Sequence, residues 1–309
     1  MNKLSVKVFK TNINDGAVLS SYKFIPSKVK AVFLILHGSI EHAKRYFDFA
    51  QFLEKAGIAV YTFDQRGHGT TAVKEEDVAY FSDKDDGWYR SVDDVQVFVD
   101  MIRKAHPDKK LVLFGHSMGS FLLRNYIAKY PKGVDKAVIC GTGDAAAGLV
   151  SFGLMLSKMT VKLRGRRYRS KLIQKLVYGT LNDRLKNPRT AYDFISHDEN
   201  VVDAYIDDNR CGNLVTCEYA REMLSGLTYI GKKKTYDMVN KDLPILIVAG
   251  AQDPLAGKDM ADLNKVIDGY KSAKIKDLNV KIYSDMRHEI LNEIGKEKVY
   301  TDIKDFILA

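Results

Sequence analysis

Leu111-Val112-Leu113-Phe114-Gly115-His116-Ser117-Met118-Gly119-Ser120 decides how the rest of the chain is read. Four apolar residues, enough for a buried strand, run directly into Gly-x-Ser-x-Gly. Helically spaced apolar residues follow: Phe121, Leu122, Leu123, Tyr126 and Ile127. A serine on a strand-to-helix turn has the geometry of a nucleophile elbow. Its backbone is strained, and its neighbours must pack without side chains, which is the work of the two glycines.

The pattern on either side matches. Residues 4–10 and 18–25 alternate apolar with polar around Asn14-Asp15-Gly16, as an antiparallel hairpin would. Residues 31–36 and 58–63 are continuous apolar runs, expected of strands buried on both faces. Residues 134–140 and 243–250 read the same way, and 280–283 is a last short strand. Between them, 47–56, 91–104, 258–270 and 293–308 have helical spacing. Strand and helix alternate, so the expected class is α/β with a mostly parallel sheet flanked by helices. Ligands in such sheets bind outside the carboxyl ends of the strands.

The alternation breaks after Asp144. A crossover needs a dozen or so residues, whereas about a hundred separate residues 134–140 from residues 243–250. The expected organisation is therefore a core over 1–144, an inserted helical cap over 145–240, and a second core part over 241–309.

A serine hydroxyl needs a base, and the base needs an acid to orient it and stabilise its cation. On this fold the chain order is Ser, acid, His. Among the seven histidines, only His288 lies downstream of both Ser117 and the late strands. His116, next to the nucleophile, is expected to point into the sheet. Asp144 and Asp253 both follow strands. Asp253 stands closer behind its strand, with Pro254 fixing the turn. A tetrahedral oxyanion needs two backbone N–H donors; those of Met118 and of Ser39, in the turn opened by His37-Gly38, are the candidates.

Three strings carry a resemblance: His37-Gly38-Ser39-Ile40-Glu41-His42-Ala43-Lys44-Arg45-Tyr46, Asp64-Gln65-Arg66-Gly67-His68-Gly69 and Gly115-His116-Ser117-Met118-Gly119. With Asp86-Gly87-Trp88, Arg287-His288-Glu289 and Asn292-Glu293, they make the chain similar to the monoacylglycerol lipase/lysophospholipase, or serine aminopeptidase-type, branch of the α/β hydrolases. The resemblance implies an eight-stranded α/β-hydrolase core, a helical cap and hydrolysis of carboxylic esters carrying an acyl chain. It also favours Asp253 over Asp144, and implies a supporting ion-pair network of Glu41, Arg45 and Arg66. A monoacylglycerol or lysophospholipid is the implied small-molecule substrate. A short-chain carboxylesterase or an aminopeptidase of the same fold, and a non-catalytic membrane-binding protein, stand as alternatives. A serine nucleophile argues against the epoxide and haloalkane hydrolases, which use aspartate.

Composition narrows the rest. The chain has 309 residues, is 46% hydrophobic and carries a formal charge of +9. No apolar run approaches the ~20 residues of a membrane span, and the first residues lack the apolar core of a signal peptide; a cytoplasmic protein is expected. Part of the charge is concentrated in the cap, where 145–182 contain no acidic residue but include Arg164, Arg166 and Arg167. Beside them lies an apolar stretch including Phe152 and Leu156. Such a pairing suits peripheral contact with anionic lipid, or a helix packed on the core with a solvated basic edge. Nucleic acid is not expected, since aromatic interleaving is limited to Tyr168. Cys140, Cys211 and Cys217 do not make a disulfide framework, and the Cys211/Cys217 pair lacks the partners of a zinc site. Gly141-Thr142-Gly143-Asp144-Ala145-Ala146 mimics a dinucleotide fingerprint but follows a late strand, without an acidic residue at the right distance. No cofactor and no metal is expected.

Overall fold

The computed structural model describes residues 6–144 and 146–309. Eight strands form one sheet in the order β1-β2-β4-β3-β5-β6-β7-β8. They are β1 Lys7–Asn12, β2 Val18–Phe24, β3 Ala31–Leu36, β4 Ile58–Phe63, β5 Leu111–His116, β6 Lys136–Cys140, β7 Ile245–Gly250 and β8 Leu278–Tyr283. The hairpin β1–β2 joins β4 antiparallel, and every pairing from β4 to β8 is parallel. The start of the first expected strand, Leu4 and Ser5, lies outside the described residues.

The continuous apolar runs have the reason given by the sheet's two covered faces. In β3, Val32, Leu34 and Leu36 join one core cluster, while Phe33 and Ile35 join the other. Helices α1 (Phe47–Lys55) and α10 (Lys296–Leu308) close one face through Phe49, Leu53, Tyr300 and Ile303. Helices α2 (Gly87–Ala105), α3 (Met118–Lys129) and α9 (Ala261–Ser272) contribute Val92, Leu122 and Val266 to the other. Burying each such side chain is worth about 1.5–3 kcal/mol, so a polar residue on either side of β3 would destabilise the sheet. β8, at the edge, is covered on neither side as fully.

Several element boundaries differ from the sequence reading, and at two helices the backbone shows why. Helix α2 begins at Gly87 rather than 91, because Asp86 (φ 82) turns the chain sharply before it. Trp88 then packs where Gly226 leaves room for its ring. The closing helix begins at Lys296, not 293, since Gly295 (φ 80) breaks the backbone there. Buried Glu293 is occupied instead with the His197 ring and the Arg287 amide.

Among the described residues, five helices lie between β6 and β7: α4 Ala147–Arg164, α5 Lys171–Tyr178, α6 Glu199–Asp207, α7 Cys217–Ile230 and α8 Lys233–Asp237. Helix α7 packs on α4, α3 and α2, which seats the insertion above the carboxyl ends of the central strands. The only β pairing described within it is the isolated bridge Arg169–Thr216. All three cysteines are free and buried.

Candidate active site

Ser117 occupies the turn between β5 and α3 with φ 53 and ψ −119, a conformation that side-chain-bearing residues rarely adopt. The flanking glycines make it attainable. A Cβ on Gly115 would lie 2.1 Å from the Gly119 carbonyl oxygen, and one on Gly119 would lie 2.2 Å from that of Leu36. Both contacts are with backbone and cannot give way. The Ser117 amide donates to Cys140 O at 3.0 Å, pinning the turn to β6.

His288 follows β8 in a loop whose amides donate to the insertion: His288 N to Phe194 O at 3.2 Å and Glu289 N to Ile195 O at 2.8 Å. Its Nδ1 lies 3.0 Å from Asp253 Oδ2, both groups buried. Asp253 stands just after β7, and its Oδ1 accepts the Leu255 amide at 2.8 Å, which orients the carboxylate. Burial pushes the His288 imidazole down; the Asp253 carboxylate opposes it, and the net displacement is upward. Asp144, the other candidate acid, has its backbone amide bonded to Asp262 O and its carboxyl beside Gly231, with no contact to His288.

The ring of His116 packs on that of His288, centroid to centroid 4.5 Å. The sequence reading aimed this ring into the sheet. Instead it lines the same cavity as Ser117 and His288, and burial keeps it neutral.

The oxyanion loop is fixed from several sides. His37 Nε2 accepts the Gln65 amide at 2.9 Å and its Nδ1 faces Gly38 O at 2.8 Å; burial holds this imidazole down at about 3. Its role is therefore to hold the turn. Gly38 N donates to Glu41, whose carboxylate also takes the Tyr46 hydroxyl at 2.6 Å and Arg45 Nη1 at 3.1 Å. Arg45 bridges onward to Glu289 Oε2 at 2.7 Å. Of the expected supporting network, Glu41 and Arg45 meet. Arg66 does not join them: it is bound to Asp94 at 2.6 and 2.8 Å and to Asp15, because the turn after β4 faces α2. Glu289 takes the place assigned to it.

Among the described residues, neither the Ser39 nor the Met118 amide donates to a protein group. Ile40, with φ 47, makes the corner after Ser39. The Ser39 hydroxyl bonds to Tyr178 of α5 at 2.6 Å and to Tyr219 of α7 at 2.7 Å. The sequence reading missed both tyrosines, since no local signal connects them with a residue some 140 positions away.

These groups border a cavity of about 800 Å³ whose walls are largely apolar, with Phe121, Val150, Leu176, Met223, Leu224 and Leu227 among them. The basic insertion differs from expectation. Arg166 pairs with Asp85 at 2.6 Å, and Arg167 pairs with Asp77 at 3.1 Å and lies 4.0 Å over the Tyr80 ring. Both clamp the insertion onto the acidic 75–86 segment of the core, so they do not form a free cationic rim. Arg164 lies over Tyr168. Leu156 packs inward, whereas Phe152 is exposed in a stripe with Leu149, Met155, Met159 and Leu163 on the outer face of α4.

A sequence profile described as serine aminopeptidase, S33, matches residues 27–295. The monoacylglycerol lipase of Mycolicibacterium smegmatis is 27% identical, over 91% of this chain and 89% of its own. The monoglyceride lipase of Mus musculus is 23% identical, over 91% of this chain and 82% of its own. The fold superposes on a thermostable carboxyl esterase from Bacillus coagulans with a TM-score of 0.89 at 23% identity, covering 99% of this chain and 100% of that one. A soluble variant of the Saccharomyces cerevisiae monoglyceride lipase superposes with a TM-score of 0.77 at 18% identity, covering 99% and 95%.

Proposed function

The chain belongs to the serine aminopeptidase, S33, family of α/β hydrolases, and from that premise we propose that it cleaves carboxylic esters of single-chain acyl lipids, of the monoacylglycerol or lysophospholipid class. The observation that carries this reading is that His288, paired with Asp253, borders the same large apolar cavity as Ser117. The helices over 145–240 act as the cap that shapes that cavity.

In the proposed reaction, neutral His288 takes the Ser117 proton as Oγ attacks the ester carbonyl. The carbonyl π pair moves to oxygen, where the Ser39 and Met118 amides stabilise it; one such donor is commonly worth about 10²–10³ in rate. The oxyanion collapses, the ester C–O bond breaks, and His288 returns its proton to the leaving alcohol. Water, deprotonated by His288, then attacks the acyl-serine; the second oxyanion collapses, the acyl C–Oγ bond breaks, and His288 gives its proton back to Ser117 Oγ as the carboxylic acid leaves. The Asp253 carboxylate orients the imidazole and stabilises the imidazolium.

The test is a hydrolysis panel together with covalent labelling. A fluorophosphonate probe should modify one residue, Ser117, and Ser117→Ala should abolish labelling while lowering kcat by roughly 10⁴–10⁶. Equal labelling of that variant overturns the catalytic assignment. Glycerol and phosphocholine monoesters of long acyl chains should exceed short-chain esters and aminoacyl amides in kcat/KM; the reverse order would make the chain a short-chain carboxylesterase or an aminopeptidase. The apolar walls favour the first outcome, since each buried CH₂ is worth about 0.8 kcal/mol.

A further inference from the structure

His42, Asp208 and Cys211 meet at a point outside the triad. Donor atoms of all three lie within 4.8 Å of one another, and His42 Nε2 is 2.7 Å from Asp208 Oδ2. His42 ends the loop that carries Ser39. Asp208 and Cys211 occupy the turn after α6, where the Cys211 amide donates to Asp208 O at 2.9 Å. That Asp-x-x-Cys turn brings two donors to one side, as Cys-x-x-Cys does in zinc proteins. His42 and Cys211 are buried, whereas the Asp208 side chain is 32% exposed and leaves an approach from solvent.

A sulfur, an imidazole nitrogen and a carboxylate oxygen form a mixed set suited to borderline divalent ions. Calcium and magnesium prefer oxygen alone, and zinc takes all three donor types. We propose that His42, Asp208 and Cys211 bind one zinc-type divalent cation, with solvent completing a tetrahedron, and thereby cross-link the 208–212 turn to the oxyanion loop. The two segments already touch: Gly212 N and the Tyr205 hydroxyl each donate to Ile40 O at 3.0 Å. Only side chains need adjust. The His42–Asp208 hydrogen bond opens to the roughly 3.3–3.6 Å that separates ligands of a tetrahedral zinc ion. The Cys211 thiol loses its proton to solvent as the Sγ–metal bond forms. Thiolate and carboxylate then balance the divalent charge, while the nearby Arg45 charge is already met by Glu41 and Glu289. The proposal is independent of the hydrolase reading.

Cobalt(II) reports on the site directly. Chelator-stripped full-length protein titrated with Co(II) should develop a sulfur-to-cobalt charge-transfer band in the near ultraviolet that saturates at one equivalent. Cys211→Ser should lack the band, and the Cys140→Ser/Cys217→Ser double variant should keep it. X-ray absorption of the zinc-loaded wild type should show one sulfur at about 2.3 Å and nitrogen or oxygen at about 2.0–2.1 Å; this measurement decides if Cys211→Ser does not fold. A titration without a band, a band that persists in Cys211→Ser, or a shell of nitrogen and oxygen alone overturns the proposal and leaves His42–Asp208 a plain hydrogen-bonded pair.

Discussion

His288 is held between two opposed influences, and their balance sets how the rate should depend on pH. Burial disfavours its cation, the Asp253 carboxylate at 3.0 Å favours it, and the net displacement from 6.5 is upward. Only the neutral ring can accept the Ser117 proton, so kcat/KM should fall on the acid side with a midpoint above about 6.5. Asp253→Asn removes the largest influence opposing burial and leaves only those of Glu289 and Glu41: the midpoint should move down and kcat should drop on the order of 10⁴. A pH–rate profile that Asp253→Asn does not shift would remove Asp253 from its role. The sign for stability is the converse. A raised folded-state pKa stabilises the fold fully below the unfolded value and less as pH rises through the folded one. At this scale the Ser, acid, His order could be proposed from the sequence because Ser117, Asp253 and His288 each lie in the loop that follows a strand. Arg66 and His116 were not, because a residue in a turn or at a strand end can face either of two neighbours.

The oxyanion loop shows what elements add to residues. Ser39, which we propose as its amide donor, is held through its side chain by hydroxyls from two helices of the 145–240 segment, Tyr178 on α5 and Tyr219 on α7. Ile40 beside it holds φ 47, costly for a β-branched residue, and its carbonyl is claimed by the turn after α6. Tyr178→Phe removes one neutral hydrogen bond, worth about 0.5–1.5 kcal/mol, and keeps the ring. It should lower kcat by up to about tenfold with KM and Tm nearly unchanged, and Tyr178→Phe/Tyr219→Phe should lower it further. Steady-state kinetics with thermal melts check this; an unchanged kcat in the double variant would show that the two tyrosines do not position the loop. The sequence marked both segments as helix-compatible, but which face of a helix meets a loop far away in the chain is decided by packing.

For the whole molecule, the question is where its positive charge is free to act. Arg166 and Arg167 are engaged by core acids, whereas Lys158 and Lys162 of α4 have no ion-pair partner among the described residues and flank its exposed apolar stripe. No described helix is long and apolar enough to cross a membrane. The stripe and those two lysines are the surface we propose to rest on anionic lipid. Binding to phosphatidylglycerol vesicles should weaken roughly fivefold for each of Lys158→Gln and Lys162→Gln, at about 1 kcal/mol per basic residue. Phe152→Ser/Met155→Ser should weaken it on neutral vesicles too; co-sedimentation equal to wild type in all variants would exclude this surface. The sequence by itself determined the α/β class, the strand ends and the chain order of Ser117, Asp253 and His288, because hydrophobic period and turn chemistry are local properties. The tertiary structure alone decided which arginines are neutralised, which tyrosines hold Ser39, and that His42 meets Asp208 and Cys211. Those are contacts across roughly eighty residues or more, and only the packing of the 145–240 segment on the core brings such distant side chains within bonding distance.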